Sequence, residues 1–100
     1  MTAFEDQVQA ALDELPPRIA DGLKNVAIVV EDEDPDDPEL FGLWQADAYL
    51  PDKVTIFERP LTRAFPDPER LRAEIRITVL HELAHYFGLD EGEIEELGYG

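Results

Sequence analysis

The segment that most constrains this chain runs from Pro68 to Phe87. It has no interior proline or glycine, and its apolar residues recur at spacings of three and four, which is the period of an α-helix. Asp67 is suited to be the N-cap, Pro68 to be the first helical residue, and Gly88 to be a left-handed C-cap. We therefore predict one helix over residues 68–87. Its apolar stripe consists of Leu71, Ile75, Val79, Leu80, Leu83, Ala84 and Phe87.

Near the end of this helix lies the segment HELAHYFGLDE, residues 81–91. His81 and His85 are one helical turn apart on one face, so both imidazoles can bind the same metal ion. Glu82 lies about 100° round the helix from His81, which places its carboxylate beside the metal, where it can hold a water molecule. H-E-x-x-H on a helix is the zinc metalloprotease signature. The alternative interpretation is two ordinary helix histidines with hydrogen-bonding neighbours.

The third metal ligand is expected after the helix. A catalytic zinc site uses three protein ligands and leaves the fourth position for water. In the longer pattern H-E-x-x-H-x-x-G-x-x-H the eleventh position is the third ligand, and Glu91 occupies it here. Asp90 is one residue early and is suited to cap a short C-terminal helix over residues 91–97, so we favour Glu91. These acids could also form a solvated helix face.

The motif predicts one zinc ion per chain and hydrolysis of peptide bonds. Zinc would activate a water molecule and polarise the substrate carbonyl, with Glu82 as the general base. The chain has no cysteine and no serine, which excludes a thiol nucleophile, a cysteine zinc site and a Ser–His–Asp triad. Its only two histidines are those of the motif.

Charge and length limit the class of protein. The formal net charge of −16 argues against nucleic acid and anionic membranes as partners, because both are bound by Lys and Arg patches. It is compatible with a peptide or protein substrate. No signal peptide is recognisable, and no run approaches the roughly 18 apolar residues of a transmembrane helix, so we expect a cytoplasmic protein. A chain of 100 residues corresponds to a single domain, residues 1–100.

The remaining elements are predicted from apolar periodicity. They are a first helix capped by Thr2, a short helical turn over residues 19–23, a buried strand over residues 26–31 and a half-buried strand over residues 53–59. The first helix has an apolar stripe of Phe4, Val8, Ala11, Leu12 and Leu15. Helices packed on one face of a small mixed sheet make this an α+β fold.

Two segments between the strands allow more than one interpretation. Residues 31–39 hold seven acids and two prolines and are expected to be an exposed loop, with a metal site as an alternative. Residues 40–50 carry Phe41, Trp44 and Tyr49. They could form a short strand, a plug in the core or an aromatic wall near a cleft.

HELAHYFGLDE, preceded in order by VAIVVE, FGLW and KVTIFERPL, resembles the small bacterial zincin-like metallopeptidases called mini-zincins, over residues 4–99. The resemblance implies a minimal zincin-like metalloprotease domain with its active-site helix at about 68–87 and an acid at the eleventh motif position. It also implies that the strand over residues 53–59 is the edge strand along which an extended peptide pairs. Larger zincins of the glycine-turn type have a methionine turn beneath the metal. Met1 is the only methionine here, and Tyr99 could fill that space or pack on the last turn.

Two other functions are compatible with these residues. The first is a peptide- or protein-binding module with a weak or vestigial metal site and no turnover, which the small size and the missing methionine turn favour. The second is a homodimer in which another subunit completes an open cleft. Edge strands and exposed aromatic residues such as Trp44 would favour that assembly.

Overall fold

The computed structural model describes residues 3–15, 17–46 and 48–87, with the side chains of all of these except residues 18 and 83–87. The elements are α1 (Ala3–Asp13), α2 (Pro17–Gly22), β1 (Val26–Glu31), β2 (Gly42–Gln45), β3 (Asp52–Phe57), α3 (Glu58–Ala64) and α4 (Pro68–Phe87). This order agrees with the predicted α+β class. Thr2, Gly88 and the predicted C-terminal helix over residues 91–97 lie outside the described residues.

The three strands form one mixed sheet in the order β1-β3-β2. β3 pairs in parallel with β1, where Ile28 lies opposite Val54, and antiparallel with β2, where Gly42 lies opposite Ile56. The prediction that residues 53–59 form the edge strand is therefore wrong, because β3 is central and β2 lies at an edge of the described sheet. Strand β3 has four consecutive buried residues, 54–57, which is typical of a strand covered on both faces.

Strand β3 also ends earlier than predicted. The backbone leaves the sheet at Phe57, and α3 starts at once with Glu58. Pro60 then falls in the first turn of α3, where the missing N–H has no helical partner to lose. The chain after β3 is thus a helix that begins two residues before Pro60.

The core lies between the helices and one face of the sheet. Val54 and Ile56, which point to the same face of β3, are fully buried and belong to a single apolar cluster that includes residues of all four described helices. The described helices therefore pack on one face of the sheet, as predicted. The helical and loop residues of this cluster are Phe4, Val8, Ala11, Leu15, Ile19, Leu61, Leu71, Ile75, Val79 and Leu80.

Helix α1 packs along the first half of α4. The predicted apolar stripe of α1 is buried in the core except for Leu12, which is partly buried against it, and polar contacts flank the stripe. Arg72 Nε donates to Gln7 Oε1 at 3.0 Å, and Glu14 forms ion pairs with Arg72, at 3.4 Å, and with Arg76. The two helices are thus joined by both apolar packing and charge.

The acidic segment 31–39 leads from β1 into an exposed loop, as predicted. Asp34 Oδ1 accepts the backbone N–H of Asp36 at 2.7 Å, which makes a local turn. Arg59 Nη1 donates to Glu33 Oε1 at 2.8 Å and ties the loop to the start of α3. Its carboxylates take part in no group of three metal-binding side chains among the residues that the structure describes.

Within residues 40–50, the structure selects the short strand, β2. Trp44 is half-buried and packs against the core, so it is not the exposed aromatic residue that the homodimer hypothesis expected. The exposed apolar side chains here are Tyr49, at 96%, and Leu50, at 68%. Among the described residues, no helix has the length and apolar character needed to cross a membrane.

Candidate active site

The described residues of the site lie on α4, and the N-cap of that helix determines where it begins. Asp67 Oδ2 accepts the backbone N–H of Arg70 at 2.9 Å, and the Asp67 carbonyl accepts the N–H of Leu71 at 2.8 Å. Asp67 is thus the predicted N-cap, with Pro68 as the first helical residue. Because α4 continues to Phe87, the cap fixes the angular position of every residue in the motif.

Burial then fixes the rotation of α4 about its axis. Leu71 is 7% exposed, and Ile75, Val79 and Leu80 are fully buried, as the predicted stripe requires. His81 and Glu82 follow directly and are half-buried, at the margin of the core. This setting combines a desolvated surrounding with an open side, which suits groups that bind a metal or transfer a proton.

The helix runs without a break through the second histidine. His81 and His85 therefore lie one turn apart, as two imidazoles that share one metal ion require. The side chain of His85 is outside the described set, and so are Gly88, Asp90, Glu91 and Tyr99. The C-cap, the third ligand and the role of Tyr99 therefore stay predictions.

Glu82 lies against the edge strand β2. An ideal Cβ atom built at the buried Gly42 would lie 3.6 Å from Glu82 Cγ and 2.7 Å from Thr78 Cγ2. Thr78 is one turn before Glu82 on the same face of α4. The methylene stem of Glu82 thus faces strand backbone at a point where a side chain would not fit. Sequence reasoning missed this contact, although an isolated glycine inside a short strand is a recognised signal of close backbone approach.

The chemistry of the predicted donors suits zinc. Two imidazoles from one helix face and one carboxylate are nitrogen and oxygen ligands of the kinds that Zn²⁺ binds, and three protein ligands are typical of a catalytic site. The described side chains by themselves include no group of three His, Cys, Asp or Glu residues that could hold a metal. Two of the three predicted ligands, His85 and Glu91, have side chains outside that described set.

Several cavities lie away from the motif. The first cavity has a volume of about 360 Å³ and is lined in part by Phe41, Pro60 and Arg63. The second has a volume of about 380 Å³ and is lined in part by Thr62 and Arg63. Both flank α3, and among the described side chains no histidine lines either of them. A third, of about 220 Å³, lies where β2 ends, between Gln45 and Lys53.

Comparison with known proteins identifies the class of this domain. No curated protein matches the chain significantly. A family model described as zincin-like metallopeptidase matches residues 23–100, which include all three strands and α4. The match begins after α2, later than the resemblance predicted from residue 4. Since the matched region covers most of the chain and contains the motif helix, this protein belongs to the zincin-like metallopeptidase family.

Proposed function

We propose that this protein is a zinc-dependent peptidase in which His81, His85 and Glu91 bind the metal and Glu82 is the general base. The observation that carries the proposal is the unbroken course of α4 through the motif, with Glu82 half-buried beside an edge strand. Membership of a metallopeptidase family supports the same chemistry.

The division of roles follows from the donor groups. Zinc bound by these three ligands would act as a Lewis acid, which lowers the pKa of water and polarises the scissile carbonyl. The Glu82 carboxylate accepts the proton of the attacking water and passes it to the leaving amine. Val79, one turn earlier on the same side of α4, is fully buried, so the base works at the edge of an apolar region, where electrostatic interactions are strong.

The substrate is proposed to be an extended peptide that pairs along β2. In the described sheet β2 lies at an edge and pairs with β3, and an edge strand is the kind of element to which an extended peptide adds by β-augmentation. Gly42 brings the backbone of β2 next to Glu82. A peptide paired there would lie near the base, and one end would approach the cavity of about 220 Å³ beside Gln45. The net charge of −16 favours basic or neutral peptides.

The first test is metal content with affinity. Elemental analysis of the purified protein is followed by zinc titration of the wild type, His85→Ala and Glu91→Ala, with Asp90→Ala as the matched control for Glu91. We expect one zinc per chain, loss of binding in His85→Ala, weaker binding in Glu91→Ala and unchanged binding in Asp90→Ala. No zinc uptake at excess metal would reject the peptidase proposal and turn attention to a peptide-binding module.

A further inference from the structure

Strand β2 approaches α4 more closely at Gly42 than any side chain would allow. Gly42 is buried and lies opposite Ile56, whose side chain belongs to the core on the helix side of the sheet. A Cβ atom at this position would be 2.7 Å from Thr78 Cγ2 and 3.4 Å from the carbonyl oxygen of Thr55. The first distance is far inside the optimal carbon–carbon separation of about 3.5–4.0 Å. With the Thr78 methyl group in this place, the strand and the helix can therefore pack together here only if residue 42 is glycine.

Thr78 cannot easily turn away from this contact. Its hydroxyl donates to the carbonyl of Glu74 at 2.8 Å, one turn earlier in α4. A β-branched side chain in a helix has few allowed rotamers, and this hydrogen bond selects one of them. Rotation of the methyl group away from Gly42 would break the bond. The methyl group of Thr78 therefore marks a fixed limit to how closely β2 can approach.

Glu82 lies next to the same point of β2. Its Cγ would lie 3.6 Å from a Cβ at Gly42, which is ordinary van der Waals distance. Thr78 and Glu82 lie one turn apart on the same helix face, so the strand backbone at Gly42 covers both. The stem of Glu82 thus lies beside the strand backbone at Gly42, and a shift of β2 would change the space next to it.

We propose that Gly42 is a positioning residue for Glu82: by admitting the β2 backbone against the stem of that side chain, it holds the carboxylate at a fixed place beside the edge strand. The catalytic consequence rests on the proposed peptidase function, whereas the contact itself does not. The same short contact would set the distance between the base and a peptide paired along β2.

The test uses Gly42→Ala, Thr78→Ser and the double variant. Thr78→Ser deletes the Cγ2 methyl group that a new Cβ would meet, and it keeps the hydroxyl that donates to Glu74. NMR of the zinc-free, ¹³C-labelled full chain measures the Glu82 Cγ chemical shift and the NOE between Gly42 Hα and Glu82 Hγ. Thermal unfolding is measured on the same samples.

In the wild type we expect the NOE. We expect the Glu82 Cγ shift to change in Gly42→Ala, to stay at its wild-type value in Thr78→Ser and to return to that value in the double variant. If the Glu82 shift is unchanged in Gly42→Ala while the melting temperature falls, Gly42 is only a packing residue and the proposal fails. The proposal also fails if the wild type shows no NOE between Gly42 Hα and Glu82 Hγ.

If Gly42→Ala does not fold, the double variant tests the proposal in its place. Its new methyl group at position 42 occupies the space that the Thr78 methyl group leaves, at van der Waals distance from Glu82. We therefore expect an NOE between that methyl group and Glu82 Hγ, together with a wild-type Glu82 shift. A folded double variant that lacks this NOE would overturn the proposal.

A separate arm tests the catalytic consequence in the zinc-loaded protein. Misplacing a catalytic group by about 1 Å can cost on the order of 100-fold in rate, so kcat is expected to fall by about that factor in Gly42→Ala and to recover in the double variant. Zinc content is expected to stay at the wild-type level. An unchanged kcat in Gly42→Ala would overturn the positioning role. If the wild type hydrolyses no peptide, the proposed function fails, and the NMR arm still decides whether Gly42 positions Glu82.

Discussion

Helix α4 has two halves with different surroundings. In the first, residues 68–77, Asp67 caps the helix, and α1 contributes apolar packing and the ion pairs of Glu14. In the second, residues 78–87, the neighbour is the edge strand β2, which meets the helix at Gly42. The first half provides the cap, the charge pairs and part of the core, and the second adds Val79 and Leu80 to the core and carries the motif.

The difference shows how one helix can serve both stability and chemistry. An α-helix is stiff over this length, so the burial of Ile75 sets the direction in which residues one and two turns later point. Polar groups at the margin of the core can then be held in place by packing elsewhere. Changes in the first half should alter the free energy of unfolding, and changes at the half-buried His81 and Glu82 of the second half should alter function at little cost in stability.

The largest expected effect is that of Glu82→Gln, which removes the general base and keeps the size of the side chain. Loss of general-base catalysis should lower kcat by about 10²–10⁴-fold, whereas zinc content and melting temperature stay near wild type. Hydrolysis of a library of basic and neutral peptides measures this, with Glu69→Gln on the exposed first turn as the control. A variant as active as the wild type would remove Glu82 from the mechanism.

The next effect is expected in the first half, for Ile75→Ala. This side chain is fully buried, so its truncation leaves a cavity and should lower the free energy of unfolding by about 2–5 kcal/mol. Urea denaturation measures the change. Ile77→Ala is the matched control on the same helix, because Ile77 is only half-buried and should cost less. Equal losses at the two positions would contradict the assigned rotation of α4.

A smaller effect is expected for Asp67→Ala, which removes the side-chain acceptor for the N–H of Arg70. Loss of an N-cap costs about 1 kcal/mol, so the urea midpoint should fall by the corresponding amount. Asp67→Asn keeps a capping oxygen and should retain most of the stability. If the asparagine variant loses as much as the alanine variant, charge rather than the hydrogen bond is the source of the effect.

The smallest effect is expected for Glu14→Gln, which weakens the ion pairs with Arg72 and Arg76. These side chains are partly exposed, so the change should cost only about 0.2–1 kcal/mol and shrink at high salt. Removing any acid also lessens repulsion in a chain of net charge −16. Glu31→Gln, an equal change of charge at an exposed position, corrects for that effect. A difference between the two variants that persists in high salt would argue against ion pairing.

Much of the fold was predictable because its signals are local. The bounds of α4 and β1, the Asp67 cap and the buried stripes of α1 and α4 agree with those inferred from the sequence. Each depends on residues within a turn or two of one another, through capping hydrogen bonds or apolar periodicity. The spacing of His81, Glu82 and His85 is of the same kind, since an unbroken helix is enough to place them on one side.

The strand order was not predictable in this way. The sequence over residues 53–59 predicts a strand, but which neighbours it has depends on contacts far apart in the chain. β3 pairs with residues 26–31 on one side and 42–45 on the other, so it is central, and β2 is the edge strand beside the motif. The surroundings of Trp44 were undecided for the same reason.

The amino-acid sequence by itself therefore determined the motif helix, its cap, the placement of the histidines and the family likeness, because helix geometry converts spacing along the chain directly into position. Only the tertiary structure decided that β2 lies at the edge and that Gly42 meets Thr78 and Glu82. Those contacts join residues about 40 positions apart, and such pairs are selected by the packing of the whole core rather than by any local pattern.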